Sequence, residues 1–506
     1  MASSPNTEFS TEALCTALQS VGAVLSGDGT VELRDLQQDS RRVSAGDLFA
    51  IRTTDAELRA RFLTQALKRG AVAVLAEDGA ELPPLSVPVL RVSNIKVAIG
   101  VAAEAVHGAP SRSLSLVGIT GTNGKTTTAW LLEQALRAAS VRAGRLGTLG
   151  YSFELDREDS QLTTPEADTI SRYLARVRDR GGSHFVAEVS SHALIQNRVD
   201  ALSFEVAAFC NLSQDHLDFH STMMEYGEAK ARLFLELQPK VSVINVDDNF
   251  GQALAERISG RVIRVSSHTP ADTALSDAVF PERLTRGAAG IDAQVRVPSG
   301  SVRLRSSMVG AHNVENLLMV LGIVDALGVD VSRAALGLAG AKSVPGRLER
   351  CDSEEDDLTV LVDYAHTPDA LMRALTAARE ATTGKLICVF GCGGDRDASK
   401  RAPMGEAVGS LADIGIVTND NPRSENPEEI AEAVLSALRS RGSVSELCLD
   451  RAAAISQAIS QATPGDCILI AGKGHENYQI IGDQRRHFDD REEARRALVE
   501  RRRGSD

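Results

Sequence analysis

A chain of 506 residues is too long for one hydrophobic core and suits about three domains of ~100–200 residues. Hydrophobic residues make up 43% and charged residues 24%, the balance of a water-soluble globular protein, and no apolar run reaches the ~18 residues of a membrane span. The net charge of −13 speaks against nucleic-acid binding as the main business. The opening MASSPNTEFSTEAL has neither the basic segment nor the apolar core of a signal peptide. Seven scattered cysteines form no CxxC pair, so neither a zinc site nor a disulfide framework is expected. A reducing, cytoplasmic setting is the expectation. The basic run Arg501-Arg502-Arg503 reads as a solvated tail.

Residues 1–110 read as a small mixed α/β domain, with a helix over 11–21 and short strands over 72–75 and 89–92. Residues 111–344 alternate strands and helices, which implies a parallel sheet covered on both faces. An apolar strand over 114–119 opens this part. Thr120, Gly121, Thr122, Asn123, Gly124, Lys125, Thr126 and Thr127 follow, then a helix over 128–139. Strand, glycine loop, Lys-Thr and helix is the arrangement that cradles phosphate. In it Lys125 reaches the terminal phosphates and Thr126 holds Mg²⁺. The general pattern asks for glycine where Ile119 stands; Gly118 and Gly121 flank that place instead. Further strands are expected over 185–189, 206–211, 241–246 and 262–265, and a hairpin over 291–308. Residues 345–506 repeat the alternation, with strands over 358–363, 386–390, 414–418, 445–449 and 467–471. They read as a separate Rossmann-like, doubly wound domain. The fold class is α/β with three domains, the central one a parallel-sheet P-loop ATPase domain.

Three residues stand out by position. Glu188 ends a strand in the phosphate-loop domain, where an acid suits Mg²⁺. His216 follows the end of the next strand, where a second metal ligand is well placed. Lys230, in a helical stretch, reads in isolation as a solvated lysine.

The spelling TGTNGKTT resembles the Mur ligases, which build peptidoglycan peptides. The same resemblance runs through Asp39-Ser40-Arg41-Arg42-Val43 with Gly46-Asp47-Leu48-Phe49, and through Asn211-Leu212 with Asp215-His216-Leu217-Asp218. It continues in Tyr226 with Ala229-Lys230, Gly310-Ala311-His312-Asn313, Pro345-Gly346-Arg347 and Asp363-Tyr364-Ala365-His366. It covers nearly the whole chain and is weakest toward the N-terminus.

The resemblance implies an ATP-dependent amide ligase with Mg²⁺, acting through an acyl phosphate. It implies a carbamate on Lys230, with Thr126 and Glu188 on one metal and His216 and Lys230 on the other. Asn316, Arg347 and Asp363 are implied to meet ATP, together with Gly121 through Thr127, across an interdomain cleft that closes. Ser40 is implied to lie against the uridine diphosphate. The family continues with a D-G-H-like stretch where this chain has residues 53–58, so the uracil contacts are not transferable. Thr163, Thr164, Ser190, Gln196 and Arg198 resemble the stretches that grip the muramyl-peptide, although Leu162 replaces an asparagine of some members.

Residues 391–397, 420–423 and 472–476 select the branch that adds the third amino acid. They assign Arg396, Asp420, Asn421, Pro422, Arg423, Gly472 and Glu476 to that amino acid. An arginine at Arg423 goes with meso-diaminopimelate rather than L-lysine. The implied partners are UDP-N-acetylmuramoyl-L-alanyl-D-glutamate and meso-diaminopimelate, with no nucleic acid, no membrane and a monomeric chain. An L-lysine-adding enzyme, a dipeptide-adding relative and a scaffold without catalysis are the alternatives.

Overall fold

The computed structural model describes residues 9–215, 219–269, 276–287, 290–341, 344–353, 355–380 and 382–504. Contacts group the chain into two compact units, Met1–Arg264 with Gly322–Asp330, and Val265–Leu321 with Val331–Asp506.

The first unit contains two sheets. The N-terminal one has the order Val24–Ser26, Val89–Val92, Ala73–Glu77, Asp47–Ile51, Asp35–Gln37; only its first pair is antiparallel. Alternate residues bury on opposite faces, Leu48, Ala50 and Leu75 on one, Phe49, Ile51 and Val74 on the other. One difference from the sequence reading arises here. The helix ends at Ala17, and Gln19–Val21 forms a separate 3-10 turn closed by Gly22. The stretch 53–58 leads into a helix, Ala56–Lys68, whose N-cap Asp55 accepts the Leu58 N–H; a carboxylate there satisfies an otherwise unpaired donor.

The larger sheet of this unit runs Arg261–Val265, Val241–Asn245, Val206–Phe209, Ser115–Thr120, His184–Glu188, Ala143–Gly147, Gly150–Phe153, Asp156–Glu158. Ser115–Thr120 pairs in parallel with strands on both sides. Chain order reverses there, the point at which open α/β sheets bind ligands at their carboxyl ends. Leu116, Phe185, Ala207, Phe209, Leu174 and Phe234 share one core. Polar ties join the two sheets: Arg172 donates to Asp35, Gln38 to Asp168, and Arg52 to Glu166.

The second unit carries an antiparallel meander, Ala278–Gly287, Gly290–Val297 and Gly300–Ser306, whose last two strands are the expected hairpin. Its other sheet runs Glu349–Arg350, Thr359–Asp363, Cys467–Ala471, Leu386–Phe390, Ile414–Val417, Val444–Leu447, parallel except at the first pair. Leu361, Cys388, Phe390 and Leu469 face one helical layer, and Val360, Val389, Ile468 and Ile470 the other. The strands are therefore apolar on both faces, as doubly wound sheets require. The C-terminal arginines depart from the tail reading: they end the helix Asp490–Gly504, and Arg501 donates to the Ile459 and Ala462 carbonyls. No described helix is long and apolar enough to cross a membrane.

Candidate active site

The phosphate loop leaves the carboxyl end of Ser115–Thr120 and enters the helix Lys125–Ala138. The helix begins three residues before the sequence reading put it, because Gly124, at φ 86°, makes the left-handed turn that a side chain resists. No side chain caps this terminus, and a helix N-terminus of that kind is suited to an anion. The loop is laced to the segment after Val206–Phe209. Thr122 N–H donates to Asn211 O, Asn123 N–H to Asn211 Oδ1, and Ser213 N–H to Thr122 Oγ1.

Two lysines meet at one carbonyl. Lys125 Nζ donates to Gly121 O at 2.7 Å and to Thr122 O at 2.9 Å. Lys230 Nζ donates to the same Gly121 O at 2.9 Å and lies 4.3 Å from the Tyr226 ring centroid. Lys230 is 1% exposed, which corrects its isolated reading as a solvated lysine. The helix Met223–Leu235 presents it to the loop, and Thr222 caps that helix. Burial first, and the Lys125 ammonium second, hold its pKa well below the ordinary lysine value. A neutral amine is favoured at this position.

Glu188 ends the neighbouring strand and is 1% exposed. Thr126 Oγ1 donates to its Oε2 at 2.8 Å, and the Thr148 N–H to its Oε1 at 2.9 Å. Thr148 was not singled out in the sequence; the signal was its place in Gly147-Thr148-Leu149-Gly150, a glycine-flanked turn after a strand. A Cβ on Gly147 would overlap the Glu188 carboxylate. Gly147→Ala is therefore expected to displace Glu188 and cut turnover by about a hundredfold while the chain still folds, measured by steady-state rates beside thermal melting. Buried oxygens from a hydroxyl and a carboxylate suit a hard divalent cation. His216 lies outside the described residues. Among the described residues no cluster of three His, Cys, Asp or Glu side chains forms.

The residues implied for the muramyl-peptide form one connected group. Thr163 Oγ1 is 3.1 Å from Thr148 Oγ1, Thr164 Oγ1 donates to the Glu188 carbonyl, and Ser190 N–H donates to Thr164 Oγ1. Arg198 donates to Thr164 O and Gln196 Oε1 and pairs with Glu166, while its buried Nε has no partner among the described residues. Ser40, in the N-terminal sheet region, is buried and donates to Gln65 Oε1 at 2.8 Å. It lines an open groove of about 1210 Å³ with Arg41, Lys68 and Arg69, a basic wall suited to an anion.

In the second unit, Asp363 is buried and accepts the Leu348 and Ala365 N–H groups. Burial raises its pKa. Arg347 lies over the Tyr364 ring at 4.7 Å and lines a cavity of about 230 Å³ with Asn313 and Leu348. Asn316 donates to Asn313 Oδ1 and does not itself line that cavity.

At the carboxyl edge of the six-stranded sheet the implied amino-acid residues converge. Arg423 Nη1 donates to Gly394 O at 2.6 Å. Its backbone sits at φ 52°, a left-handed conformation held by bonds to Ile480 O and from the Gly482 N–H. A Cβ on Gly393 would touch both Arg423 and Arg396, so the two guanidinium-bearing chains flank one spot. Arg396 is exposed. Asn421 Nδ2 donates to Glu476 Oε2 at 3.2 Å, and the Asn421 carbonyl accepts the Gly394 N–H. Pro422 is buried beside Gly394. The Gly472 N–H is occupied by the Asp363 carbonyl, which removes it from the donors offered to a ligand. Burial raises the Glu476 pKa, opposed by Lys473. The sequence reading passed over Lys473 and the hairpin of Tyr478–Ile481 with Gln484–His487 that walls this site.

The switch-point sheet, its glycine loop and the acid on the adjoining strand define an α/β protein of the phosphate-loop class. The Mur ligase middle domain matches residues 119–324, and the Mur ligase, glutamate ligase domain matches residues 346–474. The chain belongs to the Mur ligase family. It is 44% identical over 474 residues to the UDP-N-acetylmuramoyl-L-alanyl-D-glutamate--2,6-diaminopimelate ligase of Gloeobacter violaceus, covering 93% of this chain and 95% of that one. The protein of that name from Synechococcus elongatus is also 44% identical, over 92% and 94%. A solved structure of a UDP-N-acetylmuramoyl-L-alanyl-D-glutamate--2,6-diaminopimelate ligase superposes with a TM-score of 0.69 at 31% identity, over 94% and 97%.

Proposed function

We propose that this chain is an ATP-dependent ligase that joins meso-diaminopimelate to UDP-N-acetylmuramoyl-L-alanyl-D-glutamate in the cytoplasm. The observation that carries the reading is the pairing of Lys125 and buried Lys230 on the Gly121 carbonyl, beside Thr126 and Glu188. It supports transfer of ATP's terminal phosphoryl group to the D-glutamate side carboxylate. Two anions approach in that step, and Lys125 offsets their repulsion. The amine of the incoming amino acid then attacks the acyl phosphate, and the tetrahedral intermediate collapses with loss of phosphate. Mg²⁺ would be held by Thr126 and Glu188, and by Lys230 as a carbamate with His216; it would supply further charge neutralisation. Arg198, whose buried Nε has no partner among the described residues, and Ser40 are assigned to the nucleotide-sugar substrate.

The test is ligation itself: ADP release that requires both substrates, with the tripeptide product identified by mass. Phosphate release without either substrate, or no tripeptide, would refute the proposal.

The choice of amino acid rests on Arg423 and on the names of the relatives. L-Lysine lacks the distal carboxylate, and its binding would desolvate Arg423 without a partner. A charge-assisted bond of that kind is worth ~1.5–3 kcal/mol, so the parental enzyme should prefer meso-diaminopimelate by at least about tenfold. Arg423→Ala should raise the KM for diaminopimelate far more than that for ATP. Equal kcat/KM for the two amino acids in the parental enzyme would reverse the assignment.

A further inference from the structure

Lys473 follows the strand Cys467–Ala471 and is 0% exposed. A buried ammonium needs anions and acceptors in place of water. Its Nζ stands 3.6 Å from Asp420 Oδ1 and 3.5 Å from Glu476 Oε2, and donates to Asn421 Oδ1 at 3.2 Å. Asn421 Oδ1 also accepts the Ile480 N–H at 2.9 Å. Two donors on the oxygen give the Asn421 amide one orientation, with Nδ2 turned to Glu476. Removing the ammonium would leave buried Asp420 and partly buried Glu476 without the cation between them. With it, the two carboxylates carry a single excess negative charge. That charge complements the ammonium group of an amino acid whose carboxylates are taken by arginines nearby.

We propose that Lys473 is a positioning and specificity-determining residue of the amino-acid site. It fixes the Asn421 amide and holds the Asp420 and Glu476 carboxylates in place toward the substrate's ammonium group. This rests on the reading of that site given above. Lys473 touches no reacting atom and acts through its three neighbours.

The test is Lys473→Met in the full-length enzyme. The KM for meso-diaminopimelate should rise about 30-fold or more, while the KM values for ATP and the muramyl-dipeptide hold. The variant should also gain a pH dependence that the parent lacks. Burial raises the Glu476 carboxyl pKa and the Lys473 ammonium opposes that rise; without Lys473 the opposition is lost, so the KM for diaminopimelate should fall as pH rises. Arg347, Arg423, Arg451 and Arg485 also stand around this site, where the Tyr364 phenol is pushed to about 12 and that of Tyr478 upward, and His475 is lowered to about 4.

Adding Asp420→Asn to Lys473→Met restores the charge balance and should remove the new pH dependence. This double variant also serves if the single one does not fold. A parental KM for diaminopimelate in Lys473→Met, or equal losses for all three substrates, overturns the proposal. So does a double variant that keeps the pH dependence. Arg423→Ala and Glu476→Gln are the controls: if neither changes the KM for diaminopimelate, the site itself is misassigned and the role of Lys473 falls with it.

Discussion

Lys230→Ala should lower kcat by at least about 10²- to 10³-fold, with millimolar short carboxylic acids restoring part of the loss. The amine of Lys230 is buried against the phosphate loop and depressed by burial and by Lys125. In the proposed modification the neutral amine would add to CO₂, forming an N–C bond and releasing one proton, so that an uncharged amine would become an anionic oxygen donor. Such a group suits a hard cation, whereas an ammonium repels one. Methyl-sized truncation leaves room for a free carboxylate to take the same place. The check is steady-state turnover with and without added acid, together with ¹³C resonance of the parental enzyme under labelled bicarbonate. Full activity in Lys230→Ala without acid, or a free lysine in the active parental enzyme, would remove the carbamate from the account. The parental side chain packs on Tyr226, so melting of the variant must be compared to separate lost chemistry from lost packing.

Lys125→Ala is expected to reduce ligation by about 10³-fold or more while leaving the melting midpoint nearly unchanged. Lys125 is partly exposed and its ammonium donates to the Gly121 and Thr122 carbonyls of the loop. Its loss removes the positive charge that lets a carboxylate and ATP's terminal phosphate approach. It also removes a like charge beside Lys230. Burial remains the larger cause of the Lys230 shift, so the labelled-carbamate signal should persist in Lys125→Ala though catalysis is lost. That result would separate the roles proposed for the two lysines, phosphate charge neutralisation for Lys125 and the modified ligand for Lys230. Near-parental turnover with ATP and Mg²⁺ would refute the phosphate-loop role of Lys125.

The sequence by itself determined the strands that are apolar on both faces, because a continuous apolar run between turn residues has few other uses. Leu386–Phe390 and Cys467–Ala471 came out with the bounds read from the chain. The phosphate loop was legible for a related reason: glycines, a lysine and a hydroxyl must follow one another locally to wrap an anion. The helix start at Lys125 was not legible, since it depends on the backbone sign at Gly124. The strand Asp47–Ile51 was hidden inside a stretch read only as a motif, and the hairpin walling the amino-acid site is too polar and exposed to show a strand pattern.

Tertiary structure alone decided which groups meet. Thr148 reaches Glu188 from a turn forty positions earlier in the chain. Lys230 reaches Gly121 across 109 positions, and Lys473 reaches Asn421 across 52. Whether a lysine is solvated or buried neutral depends on what the fold lays over it. Desolvation is a property of the surroundings, not of the residue. The sequence therefore supplied the kinds of groups and their local order. The fold supplied the buried contacts in which Lys230 and Lys473 sit.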